Sequence, residues 1–391
     1  MKIDSNIFEN TEVAFASKST TALKEARTLF KLIGNNALVN WGAKAAGLAL
    51  KLHLPVTPIF RITVYEQFCG GETFEECKKT ITELSKYGVS AMLNYGVESK
   101  ETECDFDKTI EQNLAAIAFA GKNKTANIVC IKPTGFGRLA LYEKVQLGEK
   151  LSATEKQEFE SVKERFHRMS RAAQKANVQL YIDAEETWIQ DTLDTIAEEL
   201  MEMYNTSFPV VSNTFQLYRW DRLAYLKKEI ERAKRGSFIL GAKLVRGAYM
   251  EKENERALDN GYASPIHKNK KAVDKDFDAA AELCIENIEH VALCVASQSE
   301  QSCLAAIKKM EALGIAPNHS RICFSQLYGM SDNITFNLAK HGFNAYKYLP
   351  YGPVRDVIPY LIRRAQENTS VNGQMSRELK LIEQEIERRR K

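Results

Sequence analysis

The sequence of 391 residues lacks the short motifs that identify many enzyme classes. It contains no GxGxxG after a predicted strand, no GxxxxGK[ST], no HExxH and no GxSxG. These absences exclude the usual dinucleotide-binding, P-loop, zinc-protease and serine-hydrolase signatures. The six histidines do not cluster at the ends of predicted strands, so we expect no metal site.

The sequence also lacks paired cysteines. Its eight cysteines include no CxxC pair, and several lie inside apolar runs such as IVCIK and ALCVAS. This pattern is typical of reduced, buried thiols rather than of a disulfide framework or a zinc site.

A strong excess of one charge is absent as well. Lysine and arginine number 54 against 51 acidic residues, a balance that argues against nucleic acid as a partner.

No run of 18 apolar residues occurs, and the nearest candidate, 37–54, is interrupted by Asn40, Lys44, Lys51 and His53. We interpret it as a helix against a core, with a position on the membrane surface as the alternative. The N-terminus resembles neither a signal nor a transit peptide, which favours a cytoplasmic protein.

Three regions are predicted along the chain. Residues 1–88 show helical periodicity, 89–370 alternate short apolar runs with amphipathic helices, and 371–391 form a basic C-terminal helix. Eight strand–helix units in the middle region predict an α/β fold, a (β/α)8 barrel of the TIM type. The candidate strands are 89–96, 127–133, 178–185, 209–216, 238–249, 290–297, 321–329 and 344–352.

Two helical additions to the barrel are predicted. Residues 140–177 exceed the length of a crossover, and the spacing of Phe159, Val162, Phe166 and Met169 predicts an inserted helical hairpin. The C-terminal helix carries an apolar stripe and ends in ERRRK. We interpret it as a solvated helix with cations at its C-terminus, with a lipid-headgroup or partner contact as the alternative.

Polar residues follow most of the predicted strands. In TIM-like barrels the active site lies at the C-terminal ends of the strands. Each of these residues alone could be part of an ion pair or a helix cap, but their joint occurrence at most strand ends favours a functional site. The residues are Lys132, Asp183, Glu185, Gln216, Arg246, Tyr249, Gln326, Tyr348 and Tyr351.

The segment PYLIRRAQEN adds a pair of arginines. It predicts a helix that starts near Pro359, with Arg363 and Arg364 one turn later and Glu367 within salt-bridge spacing of both. Two guanidinium groups after the last strand suit a bidentate contact with a carboxylate or phosphate. A solvated helix face is the alternative.

Four segments resemble the signature sequences of proline dehydrogenase, also called proline oxidase, and of the catalytic barrel of proline utilization protein A. They are YIDAEET (181–187), KLVRGAYMEKE (243–253), QLYGM (326–330) and YLPYGPVRDVIPYLIRRAQEN (348–368). The resemblance runs in order from Lys132 to Asn368, and the last segment is the most specific.

The resemblance implies a distorted (β/α)8 barrel that binds FAD noncovalently. It implies oxidation of L-proline to Δ1-pyrroline-5-carboxylate by hydride transfer from C5 to flavin N5, with ubiquinone or menaquinone as the membrane electron acceptor. The substrate-binding residues it implies are Lys132, Asp183, Tyr249, Leu327, Tyr348, Arg363 and Arg364.

The resemblance also implies a set of flavin contacts. Lys243 stands where bifunctional members have an arginine, and Met250 where they have a tryptophan. Gln298-Ser299 stands where the family has the His-Asn associated with the adenine or pyrophosphate. The implied contacts are Asp183, Ala184, Gln216, Lys243, Arg246, Gly247, Ala248, Lys270, Ser297, Gln298, Gln326, Arg364 and Glu367.

No aldehyde dehydrogenase domain follows the barrel, so we expect a monofunctional enzyme and a separate pyrroline-5-carboxylate dehydrogenase. We expect a cytoplasmic location, with peripheral contact to the inner membrane as a further expectation. Hydroxyproline is the alternative substrate. A phosphate-binding aldolase barrel and a noncatalytic helical scaffold are the alternatives from other classes.

Overall fold

The protein is described from a computed structural model that covers residues 4–34, 39, 41–42, 57–96, 101–370 and 374–391, without the side chains of 59, 366–370, 374 and 375. Eight strands form a closed sheet in which each strand neighbours the next in sequence. All eight predicted strands and the (β/α)8 architecture are therefore confirmed. The strands are β1 (Val89–Tyr95), β2 (Ile128–Ile131), β3 (Gln179–Ile182), β4 (Val211–Gln216), β5 (Leu240–Val245), β6 (Val291–Ala296), β7 (Ile322–Leu327) and β8 (Ala345–Tyr351).

Helices connect and flank these strands. Short 3-10 turns occur at Ile7–Glu9, Lys124–Ala126 and Pro133–Gly135, and a π-helical turn at Arg61–Tyr65. The described α-helices are α1 (Thr11–Ala14), α2 (Thr20–Ile33), α3 (Thr57–Phe60), α4 (Glu66–Phe68), α5 (Phe74–Ser85), α6 (Glu103–Ala120), α7 (Leu139–Gln146), α8 (Ala153–Ala176), α9 (Thr187–Tyr204), α10 (Arg222–Gly236), α11 (Met250–Asn260), α12 (Lys270–Glu286), α13 (Glu300–Ala312), α14 (Asp332–Lys340), α15 (Val354–Ser370) and α16 (Gln374–Arg388).

The strands are parallel and buried on both faces. All six residues of β4 are buried, and its register with β5 pairs Thr214 with Lys243. Asn213 donates a hydrogen bond to Asp194 of α9, whereas the hydroxyl of Thr214 donates to the Ile182 carbonyl of β3. Successive side chains thus point to opposite faces of the sheet, and both faces are buried. The strands are therefore continuous apolar runs in the sequence, without an alternation of polar and apolar residues.

The chain divides into two compact units whose limits differ from the predicted regions. The first, Ser99–Ser325, contains β2 to β6 and α6 to α13. The second combines Ile3–Glu98 with Gln326–Lys391 and therefore holds β1, β8, the described N-terminal helices and the C-terminal helix. The predicted boundaries at residues 88 and 370 do not separate these units, because the N-terminal helices, β1, β8 and the C-terminal helix share one set of contacts.

Helix α8 is the main part of the predicted insertion in the first unit. Ser152 and Glu155 form a capping box at its start, and Val162, Phe166 and Met169 are fully buried. The predicted apolar stripe is therefore confirmed at these three positions.

Helix α16 in the second unit has a buried apolar face. Leu381, Ile382 and Ile386 pack in one cluster with Phe15 and Phe30. The interpretation of this helix as a solvated one is wrong for that face, because the N-terminal segment covers it. The predicted helix at 37–54 lies almost entirely outside the described residues. Within the part that is described, no helix combines the length and apolar character needed to cross a bilayer.

Candidate active site

A buried ion pair occupies the strand ends of the first unit. The Lys243 Nζ atom lies 2.6 Å from Oδ1 of Asp183, and the two side chains are 6% and 14% exposed. Burial lowers the pKa of Lys243, but the charge and hydrogen bond of Asp183, together with the nearby Cys130 and Cys294, outweigh burial, so the pKa of this lysine is raised. Two residues that the resemblance assigns to the flavin side are thus brought together as a charged pair.

Glu185 lies at the same end of the sheet. Thr134 Oγ1 donates to its Oε1 atom at 2.9 Å, and the Tyr249 hydroxyl donates to its Oε2 atom at 2.8 Å. Its charge also acts on Lys132, which follows β2. Glu185 ends the third predicted strand, and the resemblance gives it no role. The signal that could have found it is the group of three acids in YIDAEET, of which the resemblance assigns only Asp183.

Gln216 ends β4 and has one unused acceptor. Its amide nitrogen donates to the Glu185 carbonyl at 2.9 Å, while its buried Oε1 atom has no hydrogen-bond partner in the described part of the chain. A buried acceptor of this kind suits the N–H group of a flavin ring. The residues present therefore fit the expected cofactor.

Gly247 and Ala248 form the turn after β5. Gly247 has a φ of 137°, and a Cβ atom there would lie 2.5 Å from the ring of Tyr218. Only glycine fits this turn, which carries the chain from Arg246 to Tyr249.

Arg246 lies in a cluster with several residues assigned to the flavin phosphates. Its guanidinium donates to Asp274 at 2.7 Å, to Ser297 Oγ at 2.7 Å and to Ser302 Oγ at 2.9 Å. Lys270 donates to the same Asp274 carboxylate. Burial raises the pKa of Asp274, but the bonds from Lys270 and Arg246 prevail and lower it. The predicted residues Arg246, Lys270 and Ser297 are therefore neighbours.

Gln298 lies in the turn between β6 and α13. The next residue, Ser299, caps α13 through Ser302 N, and its own backbone N–H donates to Ser297 Oγ at 3.1 Å. The turn that replaces the family's His-Asn thus has a defined geometry.

In the second unit, Leu327 ends β7 and Tyr348 lies in β8 with 8% exposure. The Tyr328 backbone N–H donates to the Tyr348 carbonyl at 2.9 Å, which links the two segments. Gln326 accepts a hydrogen bond from Thr335 of α14 at 2.8 Å, so its amide oxygen is bonded within the protein.

Arg363 and Arg364 lie in α15, both half-buried, and the Arg364 guanidinium lies over the Tyr360 ring at 5.5 Å. The predicted start of this helix near Pro359 is wrong. The helix begins at Val354, whose N–H donates to Glu72 Oε2 at 3.0 Å, and Pro359 is interior. The arginines therefore lie more than two turns from its start. Glu367 belongs to α15, but its side chain is outside the described part.

Two further features lie apart from these residues. Among the described residues, no group of three or more His, Cys, Asp or Glu side chains is arranged to hold a metal ion. A cavity of about 260 Å³ lies beside α7, α8 and α9, and its lining includes Phe159, Lys163 and Asp191 but none of the predicted site residues.

A model of the family described as proline dehydrogenase matches residues 77–377. The chain belongs to the proline dehydrogenase family. Its relatives include proteins named proline dehydrogenase, so it is an oxidoreductase. It is 33% identical to the carbapenem antibiotics biosynthesis protein CarD of Pectobacterium carotovorum subsp. carotovorum, over 82% of this chain and 83% of CarD. It is 31% identical to hydroxyproline dehydrogenase of Xenopus laevis, over 84% of this chain and 78% of that protein.

Other members of the proline dehydrogenase family are longer. Human mitochondrial proline dehydrogenase 1 is 36% identical over 60% of this chain, which corresponds to 40% of the human protein. Proline utilization A (PutA) of Bdellovibrio bacteriovorus inactivated by N-propargylglycine superposes with a TM-score of 0.73 at 18% identity, covering 95% of this chain and 40% of that one. At this identity the likeness shows the fold.

Proposed function

We propose that this chain is an FAD-dependent proline dehydrogenase that oxidises L-proline to Δ1-pyrroline-5-carboxylate. The observation that carries the proposal is the arrangement at the strand ends of the first unit. There, Asp183 and Lys243 form a buried ion pair, and Glu185 is bonded to both Gln216 and Tyr249. Membership of the family supports the same reaction and removes the aldolase and scaffold alternatives.

The substrate is bound at both of its ends in this proposal. Arg363, Arg364 and Lys132 bind the carboxylate, since guanidinium groups form bidentate, charge-assisted hydrogen bonds with carboxylates. Tyr249, Leu327 and Tyr348 enclose the ring and exclude water from it. Proline reacts as the free amine, so the nitrogen lone pair assists cleavage of the C5–H bond without a general base.

In this proposal, the residues that the resemblance assigns to the flavin and its phosphates hold the cofactor. Gln216 offers a buried acceptor, Asp183 and Lys243 form a buried ion pair, and Arg246, Lys270 and Ser297 suit the phosphates. Bound FAD supplies a hydride acceptor, a chemistry that no side chain provides. The chain's own contribution is to orient the substrate and to keep water away.

The electron acceptor in this proposal is a membrane quinone, either ubiquinone or menaquinone, and the product passes to a separate pyrroline-5-carboxylate dehydrogenase. A cytoplasmic location with peripheral contact at the inner membrane fits this pathway. Hydroxyproline dehydrogenase is the second candidate, because two relatives with that name, from Xenopus laevis and Bos taurus, are 31% and 30% identical to this chain.

A purified sample tests the proposal. We expect a yellow protein whose flavin absorbance is bleached by L-proline under anaerobic conditions, whereas D-proline leaves it unchanged. A protein that is colourless and cannot be reconstituted with FAD would contradict the proposal. Bleaching by trans-4-hydroxy-L-proline at equal or higher efficiency would instead favour the second candidate.

A further inference from the structure

Glu185 is bonded through every polar group that it has. Both carboxylate oxygens accept hydrogen bonds, one from Thr134 at 2.9 Å and the other from Tyr249 at 2.8 Å. Its backbone N–H donates to Gln190 Oε1 at 2.8 Å, and its carbonyl accepts from Gln216 at 2.9 Å. The residue is 4% exposed. A buried acid in this state has a single orientation and no contact with bulk water.

A second row of buried residues holds the backbone of Glu185 in place. The Gln190 amide donates to Asp194 Oδ1 at 2.9 Å, and Asn213 donates to the same oxygen at 2.9 Å. Arg222 donates to the other Asp194 oxygen at 2.6 Å. These residues come from α9, β4 and α10, so three elements together determine the position of Glu185. Buried side chains that are held by several hydrogen bonds keep a fixed position.

The surroundings of Glu185 shift its pKa in opposite directions. Burial and the neighbouring charge of Glu186 raise the pKa of Glu185, whereas Lys132 and the hydrogen bonds from Tyr249 and Thr134 lower it, for a net rise. Tyr142 of α7 also faces its charge. Because two hydroxyl groups donate to the two oxygens, the bonded arrangement is that of the ionised carboxylate.

We propose that Glu185 is a positioning residue that holds the Tyr249 phenol against the substrate ring and balances the charge of Lys132. The inference rests on the proposed function, since it assigns Tyr249 and Lys132 to proline. A phenol whose hydroxyl donates to a carboxylate is oriented by a charge-assisted bond. Without this bond, the ring of Tyr249 could leave the position that encloses the substrate.

Steady-state kinetics of Glu185→Gln, Tyr249→Phe and the double variant test this inference. We expect each single change to raise KM for proline about ten- to hundredfold, with a smaller change in kcat, because a charge-assisted bond is lost in each. The loss in the double variant should be clearly smaller than the product of the two single losses, because both changes remove the same bond. Wild-type kcat/KM should fall as the pH drops through the raised pKa of Glu185, and this acid limb should disappear in Glu185→Gln.

Glu186→Gln is the matched control. Glu186 is the adjacent buried acid, and its carboxylate binds Lys252 at 2.9 Å. This variant should keep the wild-type KM and retain an acid limb, which should move to lower pH because a charge that raises the pKa of Glu185 has been removed. A lower melting temperature of Glu185→Gln with unchanged KM, or independent effects in the double variant, would overturn the positioning role and leave the proposed function standing. A wild type that does not oxidise proline would overturn both.

Discussion

Tyr348 is the residue whose size bears most directly on the substrate. The resemblance assigns its side chain to the proline ring, and the side chain is 8% exposed in β8. In the proposed site, a phenol at this position leaves no room for a 4-hydroxyl group on the ring, and the resemblance implies a smaller residue there in hydroxyproline-specific members. We therefore expect this chain to prefer proline over trans-4-hydroxy-L-proline.

Tyr348→Ser should reduce that preference. The change removes a ring contact from proline and gives the hydroxyl group both space and a partner, which amounts to about 1–3 kcal/mol in discrimination. The measurement is kcat/KM for both imino acids, with flavin content as the control for folding. A wild type that already oxidises the two substrates equally well would show that Tyr348 does not face the ring.

Helix α16 shows how an element can be misjudged from its own sequence. Its charged end suggests a solvated helix, but Glu385 is fully buried and binds Arg388 and Arg389. Arg389 also donates to the carbonyls of Phe15 and Lys18 at 2.9 and 2.7 Å. Arg389 thus contacts the N-terminal segment, whereas Arg390 and Lys391 are exposed to solvent.

Ile382→Ala tests the role of this helix. The side chain is fully buried in the cluster of the second unit, so its truncation should lower the free energy of unfolding by about 2–4 kcal/mol. Glu383→Ala on the same helix is the control, because its exposed ion pair with Lys31 should contribute about 1 kcal/mol or less. Denaturant unfolding measures both, and equal effects would contradict the packing.

Stability of the whole protein against acid depends in part on one carboxylate in the second unit. Asp332 Oδ1 lies 2.8 Å from Lys347 Nζ, and its Oδ2 lies 3.0 Å from Lys18 Nζ. Burial raises the pKa of Asp332, but the effect of the two ammonium groups is larger, so the pKa is lowered overall. A carboxyl group with a lowered pKa in the folded state stabilises the protein above its unfolded pKa, and this contribution is lost as the pH falls through the folded pKa.

Asp332→Asn should therefore cost stability chiefly at neutral pH. Removal of the charge leaves Lys347, which is 1% exposed, without its carboxylate partner, a loss of about 3–5 kcal/mol. The difference between variant and wild type should shrink as the pH falls through the lowered pKa of Asp332. Denaturant titrations at several pH values measure it, and a difference that stays constant with pH would exclude this origin of acid sensitivity.

The sequence by itself determined the barrel. Short apolar runs separated by amphipathic helices specify parallel strands with two covered faces, and this local periodicity needs no knowledge of distant partners. It also placed Lys132, Asp183, Gln216 and Tyr249 at strand ends, because strand boundaries are local features.

Only the tertiary structure decided which of these side chains touch. Glu185 binds a tyrosine 64 residues away, and Arg389 binds a carbonyl 374 residues away. Such contacts depend on how the closed sheet and the chain ends pack, which no local pattern encodes. A distant contact also determines where α15 begins and thus why Pro359 is interior. The N–H of Val354 at its start donates to Glu72, which is 282 residues away in the sequence.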